Sequence, residues 1–364
     1  MGNIAMQVVN SQIVSGKKVL LRYDIDVALR SAQGKLVVGE DFKLKAGIST
    51  LKLCLENASK VIIIGHLGRP FKTAEDEKMG NPPDLSAKPI YEWFKKEVDL
   101  NIEFAETLEQ AQNSNSKFIL LENIRFFHGE ELGSEYHATC TSKTCDIDFA
   151  HKLAGLGNFY VNEAFSSYRP AVSTTVLPTL LPHATGIHFI EEVKRLMQIR
   201  DNPKKPLIGI MGGAKLKDKL PVIQTLAQKA NAVLVGGKLI HEIREQQLEL
   251  PKNVLVGKLT EDGFDIASET TSSWAGLISK AAMIVWNGPL GKFEDPKYNQ
   301  TEAVINAVLQ SNGEIVIGGG DSVAALSQYG LLEKAEKVGF VSVGGGAMLK
   351  LISDGTLPTI ETLK

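Results

Sequence analysis

Short, unbroken apolar runs recur along the chain, each ending in glycine or polar residues and each followed by a segment of helical spacing. The first half carries them at KKVLLRYD (17–24), KVIIIGHLG (60–68), KFILLENIRF (117–126) and NFYVNEAF (158–165). The second half carries them at PLIGIMGGA (206–214), NAVLVGGK (231–238), AMIVWNGPLG (282–291), GEIVIGGGDS (313–322) and KVGFVSVGGG (337–346). Runs that do not alternate apolar with polar predict strands covered on both faces, as in a parallel sheet between helices. Strands alternating with helical segments predict βαβ units, hence an α/β fold of doubly wound, Rossmann-like parallel sheets.

The residues just past these runs differ between the halves: Arg, His, Asp and Asn in the first, mostly glycine in the second. Ligands of open α/β sheets sit outside the carboxyl ends of the strands. Two domains with different ligands are therefore expected, a cationic pocket in one and a glycine-lined pocket in the other. A division near 175–200 is predicted, where TLLPHATG (179–186) reads as a turn-rich exit and VKRLMQIRDNPKKP (193–206) as a helix stopped by prolines. The expected domains are 1–180, with a returning tail of about 352–364, and 181–351. The hydrophilic stretch 128–148 is expected to be a surface insertion.

Composition narrows the chemistry. A chain of 364 residues, 43% hydrophobic, is long enough to bury two cores. The formal net charge of -2 gives no global field for nucleic acid or a membrane surface, so any anion must be held by local clusters. Three cysteines (Cys54, Cys140 and Cys145) are too few and too odd for a disulfide framework. No secretory leader or apolar run long enough to span a bilayer is present, so a soluble, cytoplasmic monomer is expected. Within the insertion, His137, Cys140 and Cys145 leave two readings open: part of a zinc site, with His128 or His151 as a further ligand, or a solvated loop.

Glycine clusters follow three strands of the second half, at Gly212–Gly213, Gly318–Gly320 and Gly344–Gly346. One such turn is often a tight connection only. Three, each leading into a helix, point to phosphate held by backbone N–H groups at helix N-termini. GGAKLKDK (212–219) sets Lys215 and Lys219 four apart, on one face of a helix starting there. GGGDS (318–322) puts Asp321 and Ser322 at a helix start, either as caps or as Mg²⁺ and phosphate contacts. No Walker A motif, protein-kinase signature set or strand-linked dinucleotide fingerprint occurs, which disfavours those classes.

The blocks VWNGPLGKFE (285–294), NPKKPLIGIMGGAKLKDK (202–219), GGGDSVAAL (318–326), HLGRP (66–70), LLENIRF (120–126), GEE (129–131) and VNEAF (161–165) strongly resemble those of phosphoglycerate kinases, in collinear order over nearly the whole chain. The resemblance implies two domains joined by a hinge. The first would bind 3-phosphoglycerate or 1,3-bisphosphoglycerate, and the second ATP or ADP with Mg²⁺ as cofactor. It places Arg22, Asp24, Asp26, His66, Arg69, Arg125 and Arg169 at the acid substrate. It places Gly213, Lys219, Gly236, Gly237, Asn287, Pro289, Gly319, Gly320 and Ser322 around the nucleotide, with Glu294 at the ribose hydroxyls and Asp321 on Mg²⁺. Lys215, Lys43 and the N–H groups of Gly344, Gly345 and Gly346 would stabilise the phosphoryl group in flight. Such chemistry needs positioning and charge neutralisation more than acid–base help.

Some positions depart from the family pattern. Asp26 replaces an Asn in RYDIDVA (22–28), setting a carboxylate against an anionic substrate unless it is paired or protonated. Lys43 stands where the family carries an arginine and lacks its planar fork. The segment NEAFSSYRPAVST (162–174) is shortened, and Lys238 replaces a glycine. The expected activity is reversible phosphoryl transfer from 1,3-bisphosphoglycerate to ADP; the alternatives are a related phosphotransferase with a changed acceptor and a nucleotide-binding protein with weak catalysis.

Overall fold

In the computed structural model, which describes residues 6–71, 76, 79–97, 101–131 and 143–364 (backbone only at 143–146), the apolar runs become strands. The first half contains β1 (Lys18–Arg22), β2 (Leu29–Ala32), β3 (Lys35–Val38), β4 (Lys60–Ile64), β5 (Ile102–Ala105), β6 (Phe118–Leu121), β7 (Phe159–Asn162) and β8 (His183–Thr185). The second contains β9 (Leu207–Met211), β10 (Ala232–Val235), β11 (Val254–Val256), β12 (Met283–Asn287), β13 (Glu314–Gly318) and β14 (Phe340–Ser342). His137 and Cys140 lie outside the described residues, as does the side chain of Cys145, and no group of metal-binding side chains occurs among the described ones.

Two six-stranded sheets result, in the orders β5-β6-β4-β1-β7-β8 and β11-β10-β9-β12-β13-β14. Every pairing within them is parallel. The central strands are buried along almost their whole length, so helices must cover both faces. Leu21 pairs with Ile63 on one side and Val161 on the other, all fully buried. Burial of each such side chain contributes about 1.5–3 kcal/mol. β2 and β3 form a separate antiparallel hairpin, closed by Gln33 and Gly34 at φ 52° and 73°, as a two-residue hairpin turn requires.

The chain divides into two compact units, residues 2–192 with 357–364 and residues 193–356. The dividing line falls inside helix α1 (Ile187–Asp201). Within the first unit, α1 is anchored by Glu163, which lies just past β7. The Glu163 carboxylate accepts from the backbone N–H groups of His188 (3.0 Å) and Phe189 (3.2 Å) and from the Thr50 hydroxyl (3.1 Å). The turn expected at 179–186 instead contains β8, which pairs with β7. Its backbone donors and acceptors find partners on the sheet edge, which local turn chemistry does not reveal.

Both sheets reverse strand order at their centre. In the second the order from one edge is third, second, first, fourth, fifth, sixth, so the crevice at the switch opens between the carboxyl ends of β9 and β12. In the first, β1 and β7 flank the corresponding point.

Candidate active site

In the first unit, Arg22 ends β1 and is 1% exposed. Its Nη1 donates to the Tyr23 carbonyl (2.8 Å), its Nη2 to His66 Nδ1 (2.7 Å) and its Nε to Ser173 Oγ (2.9 Å). Because guanidinium has only donors, His66 Nδ1 must accept, and the proton of the neutral ring sits on Nε2. Burial, followed by the charges of Arg22, Arg125, Lys43 and Arg69, drives the His66 pKa well below its ordinary value, so the ring is neutral at physiological pH.

Asp24, just past β1, is buried and accepts from the Ser166 hydroxyl of the segment after β7, which joins the two sides of the switch. Lys43 reaches the same spot, 3.7 Å from Asp24 Oδ1 and 3.0 Å from the Asp26 carbonyl oxygen, to which it donates. Asp26 is paired: its Oδ1 accepts from the Gly68 N–H (2.9 Å), and its Oδ2 lies 3.7 Å from His66 Nε2. Arg125 donates to the Gly68 carbonyl and lies 3.0 Å from Glu131. Arg69 and Arg169 are exposed, and neither guanidinium makes a hydrogen bond or ion pair among the described residues. Two half-buried or buried cations (Arg22 and Arg125) are thus tied to protein groups, while two exposed ones have no side-chain partner among the described residues.

In the second unit the backbone itself closes the switch. Gly212 donates to the Asn287 carbonyl (2.9 Å) and Gly213 to the Pro289 carbonyl (2.6 Å). A Cβ on Gly212 would overlap the carbonyl oxygens of Pro289 and Gly288, so only glycine permits this approach. Helix α2 (Leu216–Ala227) leaves this turn. Lys219 is 7% exposed, and its ammonium donates to the Asn287 side chain at the end of β12. Burial lowers its pKa to about 8, against the opposing pull of Asp321 and Asp218. Lys215 is exposed and precedes the helix in the left-handed region, φ 68° and ψ 73°. The two lysines therefore do not share a helical face; they approach the switch from different backbone geometries.

Helix α3 (Gly320–Gln328) follows β13, with Gly319 before it at φ 108°. The Asp321 carboxylate makes no capping bond and is exposed, and the first N–H groups of the helix have no intrahelical acceptor. Ser322 is committed differently. Its hydroxyl donates to the Gly318 carbonyl (2.9 Å) and accepts from the Gly288 N–H (2.8 Å). Helix α4 (Gly345–Asp354) follows β14, and a Cβ on Gly345 would come 2.5 Å from Gly319 Cα. Gly344 and Gly346 flank that contact, placing two glycine-lined helix starts side by side. Gly236 is buried beside Leu290 and Ile266 after β10, and Gly237 lies 3.0 Å, by an added Cβ, from the Pro289 carbonyl. Glu294 is exposed in the turns that follow β12.

Four residues that spacing did not single out are built into these sites: Ser166 on Asp24, Ser173 on Arg22, Glu130 on Ser173, and Met348 packed against Gly318 and Asn287. Only Glu130 had a sequence signal, the GEE that follows the Arg125 motif.

A single Asp321 beside free N–H groups suits Mg²⁺, which keeps most of its waters and is held by one or two carboxylates together with phosphate oxygens.

The phosphoglycerate kinase family profile matches residues 9–252 and 243–355. Phosphoglycerate kinase from Desulfovibrio desulfuricans is 30% identical over 96% of this chain and 97% of its own length. That of Herpetosiphon aurantiacus is 32% identical over 96% of each. In structure, phosphoglycerate kinase from Coxiella burnetii superposes with a TM-score of 0.76 over 98% of both chains at 24% identity, which establishes the shared fold. Two six-stranded parallel sheets, glycine-lined helix starts at one switch point and fixed cations at the other accompany a match that runs nearly end to end: the chain belongs to the phosphoglycerate kinase family.

Proposed function

We propose that this protein catalyses the reversible, Mg²⁺-dependent transfer of a phosphoryl group from 1,3-bisphosphoglycerate to ADP, giving 3-phosphoglycerate and ATP. Its main support beyond family membership is the switch of the second sheet, where buried Lys219, exposed Lys215 and Asp321, and three glycine-lined turns converge on one crevice. Gly213, Gly236, Gly237, Asn287 and Pro289 border the nucleotide in this reading, with Glu294 accepting from the ribose hydroxyls. The N–H groups of Gly319, Gly320 and Ser322, with the Lys219 ammonium, meet the phosphates. Asp321 would hold Mg²⁺, which neutralises charge on the nucleotide phosphates.

Lys215 and the N–H groups of Gly344, Gly345 and Gly346 offset the negative charge that spreads over the phosphoryl oxygens as the bond to one oxygen weakens and another forms. On the acid side, Arg69, Arg125 and Arg169 offer forked donors to phosphate and carboxylate, His66 offers Nε2–H, and Lys43 sits where charge develops on the carboxyl end. Arg22, Asp24 and Asp26 set the positions of these groups. The protein is proposed to act as a monomer in the cytoplasm on small-molecule substrates, without nucleic acid or membrane.

The test is a coupled assay with purified, folded protein. ATP formation from 1,3-bisphosphoglycerate and ADP, abolished by EDTA and restored by Mg²⁺, supports the reading. Mg-ADP binding without turnover, or faster turnover on another acyl phosphate, refutes it.

A further inference from the structure

Beneath the cationic pocket of the first unit, a chain of polar groups runs from Glu130 and Ser173, which have no part in the proposed reaction, to Arg22 and His66, which do. Glu130 is 2% exposed and lies in the segment after the Arg125 turn. Its Oε2 accepts from the backbone N–H of Ser173 (2.9 Å), and its Oε1 accepts from the Ser173 hydroxyl (2.5 Å). Ser173, with no exposed surface, in turn accepts from Arg22 Nε (2.9 Å). Arg22 continues to His66 Nδ1 (2.7 Å), and His66 Nε2 ends the chain beside Asp26.

The direction of every bond is fixed by donor chemistry. Guanidinium cannot accept, so Ser173 Oγ must accept from it and spend its one proton on Glu130. At the far end the same constraint makes His66 Nδ1 an acceptor and leaves the ring proton on Nε2. A serine hydroxyl can rotate; the Glu130 carboxylate removes that freedom and so fixes the acceptor of Arg22 Nε, one of three contacts that together hold the guanidinium.

We propose that Glu130 is a positioning residue which, through Ser173, locks the Arg22 guanidinium and thereby holds His66 as the Nε2–H tautomer presented to the anionic acid substrate. The inference rests on the assignment of this pocket to the acid substrate. It also has a pH consequence. Burial raises the Glu130 carboxyl to about 7, with Arg22, the two Ser173 bonds and Arg125 opposing the rise. The groups facing it are Arg22 and Arg125 by charge, Ser173 by contact and Tyr160, whose hydroxyl donates to the Ser173 carbonyl (2.8 Å). When Glu130 takes up a proton, the bond from the Ser173 hydroxyl loses its charge assistance, and the lock on Arg22 weakens as pH falls through that range.

The experiment compares the unmodified protein with Glu130→Gln and with Glu130→Asp, whose carboxylate is one methylene short of Ser173. Glu130→Gln is expected to raise the KM for 3-phosphoglycerate about tenfold, as loss of one charged hydrogen bond does, with kcat and Mg-ATP affinity unchanged. Glu130→Asp is expected to restore part of that loss. Imidazole ¹⁵N spectra are expected to show His66 as Nε2–H in the unmodified protein and as a tautomer mixture in Glu130→Gln. The unmodified protein alone, followed from pH 8 to pH 6, is expected to shift toward that mixture, so the test survives a variant that fails to fold. His66 remaining Nε2–H under all these conditions overturns the inference. So does a parallel loss of kcat, acid affinity and nucleotide affinity, which marks general destabilisation. Inactivity of the unmodified protein toward 3-phosphoglycerate overturns the assigned reaction instead, and the tautomer measurement still decides the role of Glu130.

Discussion

Lys215 carries a backbone penalty as well as a charge, and the two are separable by substitution. Its φ of 68° and ψ of 73° lie in the left-handed region, where a side chain crowds the following carbonyl and costs about 1–2 kcal/mol. Glycine removes that penalty but adds about 0.4–1 kcal/mol of unfolded-chain entropy, for a net gain of about 0.5–1 kcal/mol. Lys215→Ala removes the ammonium from the start of α2 while keeping a Cβ. Lys215→Gly removes both, so the difference between the variants isolates the backbone. For the unit of residues 193–356, Lys215→Gly is expected to melt about 1–4 °C above Lys215→Ala by calorimetry. In the coupled ATP-forming assay both are expected to lose about a hundred- to a thousandfold in kcat, as when a charge stabiliser of the transition state is removed. Equal melting temperatures would refute the strain argument. A Lys215→Gly protein with near-normal kcat would refute the assignment of the ammonium to the phosphoryl group.

Lys219, with a pKa lowered to about 8, is half neutral at that pH, and nucleotide phosphates should restore its charge. Mg-ADP binding is therefore expected to take up about half a proton at pH 8 and almost none at pH 6, measured by titration calorimetry in buffers of different ionisation enthalpy; identical uptake at both pH values rules this out. Burial raises Glu163 to about 7, so the native state binds its proton more tightly than the unfolded chain. Its stabilising contribution is then full below about pH 4.5 and lost as pH rises to about 7, on the order of 3 kcal/mol. Melting of the first unit is expected to fall across that window and to fall less in Glu163→Gln; parallel pH profiles for the two proteins would dismiss the link. Gly288, at φ 91° with its Cβ position overlapping the Gly212 carbonyl, should not accept alanine. Gly288→Ala is expected to destabilise the second unit by about 3 kcal/mol or more, and an unchanged denaturation midpoint would contradict the close approach of β9 and β12.

The limits of the sequence reading follow from the same physics. The central strands were legible because burial on both faces demands unbroken apolar runs, as in VLLR of β1 and MIVWN of β12. The edge strands β5, β8 and β11 were not, since IEFA, HAT and VLV are only three or four residues long and carry no unbroken run of apolar residues buried on both faces. Motif blocks named Arg22, Lys219 and Asp321, because these residues fall in segments that resemble the family's. They did not reveal that Lys219 is buried on Asn287, that the Ser322 hydroxyl is spent on Gly318 and Gly288, or that Asp26 is paired with Gly68.

By itself, then, the sequence determined the layered parallel sheets, the contrast between a cationic and a glycine-lined set of strand ends, and the family. Those features depend on local pattern and on residue identity at fixed spacing. The tertiary structure alone decided which cations are tied to protein groups among the described residues, and what Glu130, Ser166 and Ser173 touch. Those answers depend on contacts such as Ser166 with Asp24 and Ser173 with Arg22, between residues more than a hundred positions apart, which no local pattern encodes.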